Sequence, residues 1–318
     1  MRNQKGEWHK KKCLHQKEFV APSNFSIINN TEETISYLNS ILEEREQHKI
    51  GTHFFINSSK VVNVTVDAIL YLIAIIKDTK FNKVHKYSFS GNFPKDKVAK
   101  QFYVECGFLS YVHANNNQTC PKRNDKIQIR FGNTVDTFVV KDIYEFVKKY
   151  CKINFTDMLK FYPVIVELMS NTRQHAYKDL GESKIPRFWY VFLEYIDNEI
   201  RFVFLDTGVG IPSTVYKTLR EKAVDVFLGK LLGTSSDAEY VQSTLDGTFR
   251  TETEKHNRGQ GLPQISDCFK SGLFEDVFIL SGKGSCTLKK NNPGEFAKKN
   301  FNNKIFGTLF SWKIRQRG

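Results

Sequence analysis

Two neighbouring stretches of the chain carry the plainest pattern. FWYVFLEYI (188–196) and IRFVFLDT (200–207) are apolar runs of strand length, rich in aromatic and β-branched residues, with the turn-forming Asp197-Asn198-Glu199 between them. They predict a strand pair. DVFILSG (276–282) and FGTLFSWKI (306–314) read as two further strands, and helical periodicity at 141–151 and 156–179 precedes all four. Helices followed by successive strands imply an α+β sandwich, a largely antiparallel sheet with helices on one face. The N-terminal half differs. THFFIN (52–57) predicts a strand, VDAILYLIAIIKD a helix, KVHKYSFSGN (83–92) a strand and DKVAKQFYVECGF a helix, an alternation typical of an α/β unit. HANNNQTCPKRNDK (113–126) is polar and turn-rich without apolar periodicity, which makes it the expected boundary. The expected organisation is a basic extension over 1–20, an α/β domain over 21–125 and an α+β domain over 126–318. No internal repeat or low-complexity tract stands out.

Composition narrows the class. The 318 residues are 40% hydrophobic and 14% aromatic, enough to fill the cores of two domains. No run reaches the roughly 18 apolar residues of a membrane-spanning helix. The best, AILYLIAII, ends at Lys77 and Asp78 and reads as a buried helix. The first residues are basic but lack the apolar core of a secretion signal, so a cytoplasmic protein without a membrane partner is expected. Six cysteines (13, 106, 120, 151, 268, 286) form no CxxC pair and lack histidines at zinc-finger spacing, which predicts reduced thiols and no structural metal. The formal charge of +13 attracts phosphates and acidic surfaces. Nucleic acid is therefore one candidate partner. The excess is concentrated in KGEWHKKK and between Lys283 and Arg317, where a solvated, solubilising surface explains it equally well.

Candidate chemistry lies in four places. In ELMSNTRQHA (167–176), Glu167, Asn171 and His175 recur at four-residue intervals, one polar stripe along a helix beside Leu168 and Met169. DTGVGIP places Asp206 at a strand end, followed by Gly208 and Gly210. That geometry suits a turn and equally the close approach of a flat ligand whose amine the carboxylate accepts from. NRGQGLPQISDCFK sets Gly259 and Gly261 before an apolar-periodic run. It is either a simple helix cap or a phosphate-binding helix start, to which Arg258 would add a charge-assisted hydrogen bond. FGTLFSW carries Gly307 and Thr308 within a strand.

Taken in this order, helix with Glu and Asn, DxGxGI, long loop, RGxGL and GT on a strand, the residues resemble the GHKL ATPase superfamily. That superfamily includes gyrase B subunits, heat-shock chaperone ATPases, sensor histidine kinases and anti-sigma-factor kinases. The resemblance covers roughly residues 127–318. It implies a GHKL α/β sandwich that binds ATP with Mg²⁺. By carry-over, Asn171 would coordinate the metal and Glu167 would act as general base. Asp206 would recognise the adenine amine, Gly208 and Gly210 shape the base pocket, Gly259 and Gly261 line the phosphates, and Thr308 support the adenine end. Residues 211–257 occupy the place of the mobile ATP lid. ELMSNTRQHAY is closest to the ExxxNAxxHGY style of anti-sigma-factor kinases, with Thr172 and Ala176 in place of Ala and Gly. His175 reads more simply as a helix-end residue. The N-terminal half more faintly resembles STAS domains, the partners of those kinases. Their acidic-Ser-Ser-Gly acceptor is absent; Thr65 stands nearest its place and reads better as a helix N-cap. The expectation is a bacterial ATPase acting as a regulatory or defence switch, with Ser/Thr protein kinase activity as a variant and a protein partner, the homodimer left open. Its rival is a nucleotide-gated module that binds protein or nucleic acid with little turnover.

Overall fold

The computed structural model describes residues 15–47, 52–77, 88–112, 121–174, 187–222, 235–247, 261–289 and 295–315. In the N-terminal half, β1 (His15–Val20), β3 (Thr52–Asn57) and β5 (Ser88–Asn92) form a parallel sheet in the order β1-β3-β5. A two-residue pairing joins β2 (Asn24–Phe25) to β4 (Asn63–Val64). The helices are α1 (Thr31–Gln47), α2 (Val66–Ile76), α3 (Lys97–Glu105) and the single turn α4 (Leu109–Val112). Residues 15–20, expected in a basic extension, are thus a sheet strand.

The second half is built on one antiparallel sheet ordered β6-β7-β8-β10-β9, from β6 (Lys126–Gly132), β7 (Trp189–Ile196), β8 (Glu199–Asp206), β9 (Glu275–Leu288) and β10 (Phe296–Arg315). Asp197 and Asn198 close the β7–β8 hairpin with φ of 54° and 61°, the positive values a two-residue turn needs. The helices are α5 (Thr137–Cys151), α6 (Phe155–Gln174), α7 (Ile211–Lys222), α8 (Asp237–Leu245) and α9 (Gly261–Lys270). Asp136 starts α5 by accepting from the amides of Phe138 and Val139 at 3.0 and 3.2 Å, four residues before the periodicity alone would begin it.

Alternation along the strands divides the sheet into two faces. Trp189, Val191, Leu193, Phe202, Phe204, Phe310 and Trp312 point into a core with α5, α6, α8 and α9. Phe202, Trp312 and Phe274 stack there, with ring centroids 4.2 and 4.5 Å apart. The opposite face carries Tyr190, Phe192, Val203, Leu205, Leu280 and Leu309, which join the buried residues of α1 and α2 in a second core. Helices on one face only was the expectation, and here the structure differs. α2 explains why: every residue from Val66 to Ile75 is buried, and a helix apolar all round needs cover on every side. Residues on both sides of the expected boundary at 125 and 126 therefore share one core.

Candidate functional site

On α6, Phe161, Val164, Ile165, Leu168, Met169 and Thr172 form the buried stripe facing the sheet. Glu167 and Asn171, one turn apart, lie together on one shoulder of that stripe and are partly exposed. Among the described residues no hydrogen bond engages the Asn171 amide. His175 lies outside the described residues. The neighbouring Thr172 is 2% exposed and donates its hydroxyl to the Leu168 carbonyl at 3.3 Å, while lying near enough to Asp206 to act on its carboxyl, so the turn that carries Asn171 stands beside the end of β8.

Asp206 ends β8 on the face of Phe202 and Phe204, the one packed against α5, α6, α8 and α9. In register it stands between Trp189 of β7 and Thr308 of β10. Burial pushes its carboxyl up to about 6; the nearby Thr172 hydroxyl, the hydrogen bond from the amide of Gly208 and the charge of Arg187 oppose that rise. By surface area the residue is only partly buried, but the surrounding protein desolvates the carboxyl itself. The Gly208 amide donates to Asp206 Oδ1 at 3.0 Å, and Thr207 binds back to the Phe188 backbone, so Asp206 sits in a fixed turn.

Ser281 on β9 is the centre of this end of the sheet. Its Oγ donates to the carbonyl of Gly307 at 2.9 Å, accepts from the amide of Ile211 at 2.9 Å and lies 2.9 Å from Thr308 Oγ1. A hydroxyl has one proton. With that proton on the Gly307 carbonyl, Thr308 is the donor to Ser281 and keeps its own lone pairs for another donor. Gly307 has φ of +102°, and a Cβ there would stand 1.8 Å from the Asp206 carbonyl. Only glycine fits so close a backbone approach. Gly210 (φ +84°) turns the chain from β8 into α7, beside Ser281 and Gly307.

Asp206, Gly208, Gly210, Thr308 and, through Thr172, the turn of Asn171 thus meet at one end of the sheet. Arg258 and Gly259 lie outside the described residues, and Gly261 is the first residue of α9. Sequence reading missed Ser281 and the role of Thr172. Their only signal was a small polar residue at the end of an apolar run, and its meaning depends on strand pairing.

Two other expectations meet the structure only in part. Within 211–257, the place of the lid, α8 is part of the core: Ala238, Tyr240, Val241 and Leu245 are buried, and a capping box between Ser236 and Glu239 starts the helix. Asp237 Oδ2 accepts from the Lys283 amide at 2.7 Å, which anchors α8 to β9. Thr65 holds the N-cap position of α2 but makes no capping bond; its hydroxyl donates to Ser26 Oγ at 2.6 Å. Among the described residues no three His, Cys, Asp or Glu side chains gather as a metal site. None of the family models matches the chain, and a search of curated proteins finds no match.

Proposed function

We propose that the chain binds ATP with Mg²⁺ at this end of the sheet and turns it over. The observation that carries the reading is Asp206: a desolvated carboxyl, in register with Thr308 and beside Thr172 on the helix turn of Asn171. A carboxylate offers only acceptors, the complement of an exocyclic amine. Gly210 and Gly307 let the chain segments at this end of the sheet close against one another, which holds Asp206 and Thr308 side by side. The Asn171 amide oxygen is a suitable hard ligand for Mg²⁺, which commonly takes one or two protein ligands and completes its shell with phosphates and water. When bound, the metal supplies charge neutralisation across the phosphates. Glu167, one turn before Asn171, would take a proton from the attacking nucleophile, water for an ATPase or a Ser/Thr hydroxyl for a protein kinase. The reading is of a nucleotide-driven switch of GHKL type. The second reading, a gated binding module, is favoured by Lys283, Lys298, Lys299 and Lys304, exposed on β9 and β10, and Lys289 just past β9, where they would meet phosphates of nucleic acid.

Incubation with Mg²⁺ and labelled ATP, scored for free phosphate and labelled protein with and without DNA or RNA, tests both. Glu167→Ala is expected to keep ATP bound and lose on the order of 10²–10⁴-fold in turnover. Asn171→Ala is expected to weaken Mg-ATP binding itself. Unchanged turnover in Glu167→Ala removes it as the base. ATP binding without any turnover by the native chain makes the gated module the better account.

A further inference from the structure

We infer that Tyr71, in the N-terminal half, is a positioning residue for the base end of the nucleotide site and acts through the backbone of β10. The inference rests on the reading above that ATP is held beside Asp206.

The contact is specific. Tyr71 is fully buried in the middle of α2, and its Oη accepts the backbone N–H of Phe306 at 2.9 Å, across 235 residues of sequence. Phe306 and Gly307 fall where the β10–β9 register shifts, between Ile305 and Thr308, and before the β10–β8 ladder begins at Thr308 and Asp206. Regular strand pairing does not set their position, so the bonds at each end of the bulge do. On one side the Phe306 amide is fixed by Tyr71. On the other the Gly307 carbonyl is fixed by Ser281, whose hydroxyl also meets Thr308. Gly307 in turn lies against the Asp206 backbone. A short covalent and hydrogen-bonded path therefore runs from α2 to the two groups assigned to the base.

Tyr71 is itself braced. Arg45 of α1, 1% exposed, donates from Nη1 to the carbonyl of Ile75 at 3.3 Å, one turn along α2 on the Tyr71 side. The N-terminal half thus does more than cover apolar surface. Any shift of α2 along the sheet moves the strand bulge that carries Thr308, and by reciprocity nucleotide at the base end tightens the Tyr71 contact.

Tyr71→Phe removes one oxygen and leaves the ring in place. The Phe306 amide loses its acceptor, and an unmet amide costs about as much as a tenfold change in affinity. Binding of ATP and of GTP to the full chain is measured for the native protein, Tyr71→Phe and Leu38→Ala. The last opens a cavity in the same core and removes no hydrogen bond to β10. The expected result is about a tenfold weaker ATP Kd in Tyr71→Phe with most of the preference for ATP over GTP lost, and a preserved preference in Leu38→Ala. Loss of preference in both variants, or in neither, overturns the inference. In the native protein, hydrogen exchange at the Phe306 amide is expected to slow when ATP binds; no slowing also overturns it, even if Tyr71→Phe does not fold. A native chain that binds no nucleotide refutes instead the site reading on which the inference stands.

Discussion

Asp206 sets stability against the use proposed for it. Its carboxyl stands at about 6 in the folded chain against an ordinary 3.8, because burial disfavours the charge. A raised folded-state value in an acid means that the folded chain holds the proton longer than the unfolded one. Stability therefore falls as pH rises from about 4 to about 6, and above that window the ionised group costs at most about 3 kcal/mol. Asp206→Asn keeps an acceptor for the Gly208 amide and removes that cost. It is expected to melt higher than the native protein at pH 7.5 and to converge with it near pH 4. Because an amide nitrogen offers a donor where an amine needs an acceptor, the same change is expected to weaken ATP binding, and native binding is expected to fade as pH drops through about 6. Melting curves at the two pH values with calorimetric titration of ATP check both halves. A variant that melts no higher yet binds normally removes Asp206 from the base site.

At the scale of elements, α8 decides what the segment after Gly210 does. If residues 235–247 belonged to a lid, the Ser236 cap would bear on lid motion and hardly on global unfolding. Their burial against β9 and the Asp237 anchor say otherwise. Ser236→Ala is expected to cost the whole protein about 1 kcal/mol and to leave ATP affinity unchanged. An unchanged melting temperature would return this segment to the lid. The same comparison shows what the sequence made legible. β7, β8 and their turn were plain because local pattern and turn chemistry agree. β10 was recognised over 306–314 but runs from Phe296, since Lys298, Lys299, Asn300 and Asn302 break the apolar pattern while the backbone stays paired or bulged beside β9. β1 was hidden in a basic stretch because the exposed Gln16, Lys17 and Glu18 outweigh its apolar end. α1, with its many charges, gave too weak an apolar stripe to be noticed. Of the candidate site, Asp206, Gly210 and Thr308 stand out through their order along the chain. Ser281 and Tyr71 do not, because their roles arise only when strands and helices from distant parts of the chain meet.

For the whole molecule, the consequential feature is a sheet covered on both sides by different halves of the chain. The near-continuous apolar run of β7 already implied it: a strand open to water on one face alternates, whereas WYVFL is buried at every position. Two independent domains joined by a linker would each keep a closed core. Here Tyr190, Phe192, Val203, Leu205, Leu280, Ile305 and Leu309 would face water if the N-terminal half were removed. That apolar area greatly exceeds what scattered surface residues expose, and it would lie on one contiguous face. A chain beginning at residue 121 is therefore expected to aggregate or to lose fixed tertiary packing, with near-ultraviolet circular dichroism lost and dye binding gained. The intact chain is expected to unfold in a single calorimetric transition, because neither half can open without exposing the core of the other. The argument fails if the shortened chain is a monomer that melts sharply. It fails equally if the intact protein unfolds in two separated steps, since the sheet would then have kept its second face covered, or closed it, without α1 and α2.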